Sequence, residues 1–245
     1  MNASPLKIES IVIAAHPKVP RAEQLAPLVA YYLEESGIEA FQSSLYDERL
    51  QERVKNKEFD LMIALGGDGT MLRAGHLCAP IGLPIFGINL GRFGFLIDVE
   101  GAQWRQALSQ LLVGSYRIET RMILCAEHWQ NDERNSCWDV INEVFVGRGS
   151  SVRPVHLVTY VDDRYLTTYV ADGLIAATPT GSTAYALAVG GPILPPDLRN
   201  ILLVPVAPHL SIDRAIVLAE GATVSITVES DHQAVMSVDG QTPVN

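Results

Sequence analysis

The stretch that most constrains this chain is Leu61-Met62-Ile63-Ala64 running straight into Leu65-Gly66-Gly67-Asp68-Gly69-Thr70-Met71-Leu72. A short apolar run of this kind reads as a strand, and the glycines end it in a turn. Placed around one carboxylate, they let the backbone approach another group closely, because glycine permits φ > 0 and leaves its N–H uncovered. A helix starting near Thr70 aims its positive N-terminal end at the same spot. Strand, turn and helix together make a corner suited to a phosphate, with Asp68 set to face a reacting hydroxyl.

The same alternation extends on both sides. Ile11-Val12-Ile13-Ala14-Ala15 reads as a strand buried on both faces. Residues 21–36 have helical period, with Leu25, Leu28, Val29, Tyr32 and Leu33 on one face and Gly37 where a C-terminal glycine belongs. Residues 70–77 read as helix and 84–88 as a third strand, while Trp104, Leu108, Leu111 and Leu112 mark another amphipathic helix. Strand alternating with helix implies an open, Rossmann-like α/β sheet with its ligand at the carboxyl ends of the strands.

Beyond Gly114 the pattern becomes β. Strands are expected over 116–125, 138–146, 155–161 and 165–170, with a hairpin loop at Asp162-Asp163-Arg164. Runs at 174–177, 201–205, 215–218, 224–228 and 234–238 continue the pattern, with a helical turn after Gly181. The expectation is an N-terminal α/β domain, 1–114, and a C-terminal antiparallel β-sandwich domain, 115–245.

A formal charge of −10 argues against nucleic acid or an anionic membrane as partner, since either would be repelled. No apolar run approaches the ~18 residues of a membrane span. The first ten residues carry Lys7 and Glu9 and lack a signal-peptide core. Cys78, Cys125 and Cys137 show no CxxC spacing, so neither a disulfide framework nor a zinc site is expected. A cytoplasmic protein is the resulting expectation.

A second informative segment is Pro179-Thr180-Gly181-Ser182-Thr183-Ala184-Tyr185. Small hydroxyl residues and one aromatic in a turn suit the hydrogen bonding and stacking of a nucleoside, although a core tyrosine would read the same way. No GxxxxGK[ST] loop occurs, and Gly87-Ile88-Asn89-Leu90-Gly91-Arg92-Phe93-Gly94 does not fit GxGxxG. A carboxylate is a feeble base toward a ribose hydroxyl. In phosphoryl transfer, however, positioning outweighs early deprotonation, so Asp68 can orient the hydroxyl and collect its proton late. The alternative is a helix N-terminal carboxylate bonded to its own turn. Asn142-Glu143 interrupts a β run and is either a ribose or adenine contact or an outward polar position. Asp172-Gly173 is a turn or a ligand contact. Arg73, Arg92, Arg148 and Arg153 are candidate anion contacts; His16, His76 and His209 lack metal-ligand spacing.

These residues, in this order, resemble the NAD kinase family (polyphosphate/ATP-NAD kinases) over most of the chain. Residues 65–72 resemble its GGDGT(M/F)L, and 89–96 its NxGxxGFL. Asn142-Glu143 is similar to its NE pair, and 172–193 to its DGxxxxTPTGSTAYxxxxGGPI. Pro208-His209 and Val238-Asp239-Gly240 fall where the family has related turns. Val170 stands where many members carry Lys or Arg, and Ala188 where Ser is frequent. GGDGT alone is shared with lipid kinases, which keeps a lipid or small-alcohol kinase as an alternative, beside a non-catalytic nucleotide sensor.

The resemblance implies transfer of a phosphate from ATP to the adenosine ribose 2′-hydroxyl of NAD, giving NADP, with the donor open among ATP, other nucleotides and polyphosphate. It also implies a site between the two domains, last residues packed against the first domain, a divalent cation, usually Mg²⁺, with ligands unassigned, and a homodimer or homotetramer. By position, Asp68 is the proton acceptor, and Gly66, Gly67, Gly69 and Thr70 meet phosphate. Gly69, Arg73, Asn142, Glu143 and Arg153 contact NAD, with Asp172 on the nicotinamide side. Thr183, Ala184, Tyr185, Ala186, Leu187 and Ala188 line the adenine pocket.

Overall fold

Side-chain alternation explains the first half. The structure is a computed structural model of the chain, and it describes residues 6–91, 94–150, 152–209, 211–229 and 234–241. Its contacts divide the chain into two compact units, Met1–Ile118 and Glu119–Asn245. In the first, β1 (Ser10–Ala15), β2 (Glu39–Ser44), β3 (Leu61–Gly66), β4 (Ile85–Asn89) and β5 (Val99–Glu100) form a parallel sheet in the order β2-β1-β3-β4-β5. Around it stand α1 (Pro20–Glu35), α2 (Glu48–Lys55), α3 (Asp68–Cys78) and α4 (Trp104–Leu112). Ile11, Ile13, Ile63 and Leu65 pack against Val29 and Leu33 of α1 and Leu108 of α4. Their neighbours Val12, Ala14, Met62 and Ala64 pack the other way, against Leu50 of α2 and Ala74 and Cys78 of α3. Both faces of the central strands are therefore dry, as a doubly wound sheet requires.

Helix α1 stops where the sequence says it should. Gly37, at φ +79°, donates to Glu34 C=O, and Ile38 N–H reaches back to Leu33 C=O, a two-bond C-terminal lock that needs a left-handed residue. The strand order reverses between β1 and β3, which places the crevice at such a switch point beside the carboxyl end of β3.

In the second unit, β6 (Leu124–Gln130) and β7 (Glu133–Val140) form a hairpin, as do β9 (Val155–Val161) and β10 (Arg164–Ala171). Their two-residue turns, Asn131-Asp132 and Asp162-Asp163, have φ between 50° and 62°, the left-handed pair that matches strand twist. With β14 (Val224–Val228) the second hairpin makes the sheet β10-β9-β14. It packs on the sheet β13-β12-β11-β8-β15, formed by β8 (Glu143–Arg148), β11 (Gly173–Ala177), β12 (Ile201–Val206), β13 (Ile216–Leu218) and β15 (Ala234–Val238). Val155, Leu157 and Tyr169 of one sheet meet Val146 and Leu174 of the other, giving an antiparallel sandwich. A 3-10 turn at Gly181–Thr183 leads into the single helical turn α5 (Tyr185–Ala188).

Two expected strands need correction. Residues 116–123 form none: Tyr116 packs with the first unit's core, and its hydroxyl accepts Leu6 N–H at 2.6 Å. The run 138–146 is two strands, β7 and β8, broken at Ile141-Asn142 by contacts described below. The expectation for the last residues falls on 242–245, outside the described residues.

Candidate functional site

Asp68 is the first residue of α3, two positions earlier than the sequence suggests, because Gly67 C=O already accepts Thr70 N–H at 2.9 Å and Met71 N–H at 3.0 Å. The glycines divide by cause. A Cβ on Gly66 would overlap the buried Thr70 side chain, so packing explains it. A Cβ on Gly67 or Gly69 would meet nothing within 4 Å, and neither has a left-handed φ. Neither packing nor backbone conformation demands glycine there, and the space beside both is open at a helix N-terminus, which favours anions.

The half-buried Asp68 carboxylate is not bonded to its own turn. Oδ2 accepts Phe95 N–H at 2.9 Å and Oδ1 accepts Leu96 N–H at 3.3 Å. A Cβ on Gly94 would run into that carboxylate, which explains the glycine. Leu90 N–H donates to Gly66 C=O at 2.9 Å, and Asn89 Oδ1 accepts Gly91 N–H at 2.9 Å. The second glycine block therefore serves the first: it holds the carboxylate from behind. Beyond β4 and β5 a cavity of about 570 Å³ is lined by Asn89, Gly91, Phe95, Asp98, Glu100 and Arg21. Arg73 is exposed, its guanidinium 4.2 Å over the Tyr46 ring, and that ring meets His16 edge-on at 6.0 Å. Arg92 lies outside the described residues.

In the second unit the break between β7 and β8 is clamped from two sides. Asp239, in the turn after β15, accepts Ile141 N–H at 2.9 Å, Asn142 N–H at 2.7 Å and Glu143 N–H at 3.0 Å. Thr178 donates through Oγ1 to Ile141 C=O at 2.6 Å and through its N–H to Asn142 C=O at 2.8 Å. Gly181 lies so close to Asn142 C=O that a Cβ there would overlap it. Glu143 is 7% exposed, and its Oε2 has no partner. Burial first, then the Asp239 charge, push its carboxyl up to about 7, against the pull of a hydrogen bond from Tyr185 N–H. A buried carboxyl oxygen without a partner suits a hydroxyl donor from outside the chain.

Of the adenine-pocket candidates, Tyr185 reaches this carboxyl through its backbone N–H. Ser182 donates to Pro179 C=O at 2.6 Å and accepts Leu194 N–H at 2.9 Å; Thr183 donates to Thr180 C=O at 3.0 Å. These bonds fix the turn and leave Tyr185 41% exposed, its ring 5.7 Å from that of Phe145. Ala186 is buried, Ala184 and Leu187 are half-buried, and Ala188 is exposed. Asp172 pairs in bidentate fashion with Arg148, Nε to Oδ1 at 2.8 Å and Nη2 to Oδ2 at 3.1 Å. Arg153 is exposed on the loop after β8. The sequence reading gave no role to Asp239, and it did not pair Arg148, a candidate anion contact, with Asp172. An acid beside a glycine in a β turn was the available signal for Asp239.

A carboxylate at a glycine turn suits a kinase that phosphorylates an alcohol. Residues 11–116 match the family described as ATP-NAD kinase N-terminal domain, and 141–245 that described as ATP-NAD kinase C-terminal domain. An NAD kinase of Heliobacterium modesticaldum is 43% identical over 190 residues, 77% of this chain and 67% of that protein. The NAD kinase of Moorella thermoacetica is 38% identical over 241 residues, 96% of this chain and 77% of that protein. Among solved structures, yeast NADH kinase complexed with NADH aligns with a TM-score of 0.78 and 25% identity, covering 97% of this chain and 76% of that one. An NAD kinase from Archaeoglobus fulgidus in complex with ATP gives 0.74 and 26%, covering 97% and 86%. The chain belongs to the ATP-NAD kinase family.

Proposed function

We infer that this chain transfers the terminal phosphate of ATP to the 2′-hydroxyl of the adenosine ribose of NAD, forming NADP and ADP. The observation that carries the reading is Asp68, held by the Phe95 and Leu96 amides beside two glycines whose Cβ space the chain leaves open. The amides of Gly67 and Gly69 receive the phosphates, while Thr70 N–H is already committed to Gly67 C=O. Asp68 aligns the ribose hydroxyl; as its oxygen bonds to phosphorus and the bond to ADP breaks, the hydroxyl proton passes to the carboxylate. Asn142 and Glu143 take the adenosine hydroxyls, with Glu143 Oε2 free to accept one, and Tyr185 covers the adenine. Arg73 and Arg153 add charge toward the phosphates, and Asp172, braced by Arg148, serves the nicotinamide side. That related structures hold NADH and ATP supports a site that takes both nucleotides.

Among the described residues no group of three His, Cys, Asp or Glu could hold a metal ion. We propose that Mg²⁺ would arrive on the donor's phosphates, where it would supply charge neutralisation. We assign the same chain to a homodimer or homotetramer in the cytoplasm, with domains meeting near residue 114. No helix among the described residues is long and apolar enough to cross a membrane. The test is an acceptor panel with γ-labelled ATP and Mg²⁺: NAD, NADH, adenosine and diacylglycerol. Label on NAD alone or on NAD and NADH supports the reading; label on diacylglycerol with NAD untouched overturns it. Sedimentation of the same preparation decides the oligomer.

A further inference from the structure

The break between β7 and β8 has its backbone accounted for atom by atom. Three consecutive N–H groups end on one carboxylate, Asp239, and two C=O groups end on Thr178. Asp239 N–H in turn donates to Glu143 C=O at 2.9 Å. Asp239 is itself 7% exposed and left-handed at φ 49°, followed by left-handed Gly240. A buried carboxylate in a conformation unfavourable for a side chain persists only where its surroundings hold it. Here they are the three amides, which favour its charged form. The cost is a second buried carboxyl next door, Glu143, whose Oε2 has no partner.

We propose that Asp239 is the positioning residue of this site: it bends the chain at Asn142 and Glu143, and its charge beside the buried Glu143 carboxyl favours a proton there that leaves to solvent when a ligand hydroxyl donates to Oε2. Three amides donate to Asp239, so of the two carboxyls it is Asp239 that stays ionised and Glu143 that holds the proton. The groups acting on Glu143 are the Asp239 carboxylate from the β15 turn, which raises it, and the Tyr185 N–H of α5, which lowers it; burial acts with Asp239. Only the kinetic part of the test below rests on the reading of this site as an NAD site.

The experiment uses the full chain with ¹³C-labelled glutamate side chains, Glu143→Gln identifying the resonance. In the unaltered protein the Glu143 midpoint is expected at about 7, where burial and Asp239 push it. Asp239→Asn keeps the shape but removes the charge, and the midpoint falls toward the ordinary carboxyl range. Thr178→Val loosens the same segment from the other side without a change of charge, and leaves the midpoint in place. Both variants raise the NAD KM about tenfold with kcat changed less, the mark of lost binding rather than lost chemistry. Hydrogen exchange in the unaltered chain should find the Ile141, Asn142 and Glu143 amides protected, whether or not Asp239→Asn folds. An ordinary midpoint in the unaltered protein, equal midpoint shifts in both variants, or free exchange at the three amides overturns the proposal. These readouts need no NAD, so failure to form NADP would strike the proposed reaction and leave this inference to be judged separately.

Discussion

Replacing Glu143 by Gln should stabilise the empty protein, and only above mildly acid pH. The carboxyl is 7% exposed with one oxygen unpartnered, and burial and Asp239 move it from an ordinary 4.5 to about 7. Below pH 4.5 the group is protonated in both folded and unfolded chains and costs nothing. Between 4.5 and about 7 the unfolded chain releases the proton and the folded chain keeps it, so stability falls as pH rises and the loss is complete above 7. At about 1.4 kcal/mol per tenfold, the full loss is about 3 kcal/mol. Gln keeps the shape and an oxygen for Tyr185 N–H but cannot ionise. Urea denaturation, followed by the fluorescence of Trp129 and Trp138 in the β6–β7 hairpin, measures the difference. The variant should match the parent near pH 4.5 and exceed it by about 3 kcal/mol near pH 8. Equal pH slopes in the two proteins, or a variant weaker than the parent near pH 8, would refute the reasoning.

Gly69→Ala should separate stability from function. Alanine on the exposed side of α3, with nothing within 4 Å of its Cβ, should add about 0.5–1 kcal/mol to stability while raising the donor KM, because the methyl occupies phosphate space. A stabilised enzyme with unchanged donor kinetics would return this glycine to an accident of sequence. Tyr185→Ala removes a ring that is 41% exposed, so it should raise the NAD KM more than it lowers kcat, since stacking is shared by ground and transition states. A fall confined to kcat would place the ring in the chemistry instead.

Much of the first unit was legible because its strands are buried on both faces: residues 11–15 and 61–65 are continuous apolar runs, and α1 repeats its apolar stripe up to Gly37. Strand β2, Glu-Ala-Phe-Gln-Ser-Ser, escaped notice because it is an edge strand with no fully buried residue. Helix α2 buries only Leu50 and Val54, too short a stripe to read, although Asp47 caps it through Arg49 N–H. Around the site, the composition of each turn was readable but its support was not. The amides that hold Asp68 lie 27 and 28 residues further on, and those that hold Asp239 lie 96 to 98 residues before it. For the same reason Trp138-Asp139-Val140-Ile141-Asn142-Glu143-Val144 reads as one strand: its propensity is continuous, and the break is imposed by Asp239 and Thr178 from distant parts of the chain.

The most direct test of the account is the rate of NADP formation from NAD, ATP and Mg²⁺ by the unaltered protein and by Asp68→Asn, with NAD affinity measured on both. Losing a positioned proton acceptor should lower kcat by about 10²–10⁴ while NAD affinity changes little. An Asp68→Asn enzyme turning over at close to the parent rate would contradict the central claim, leaving the carboxylate held by Phe95 and Leu96 as a brace for the turn and nothing more.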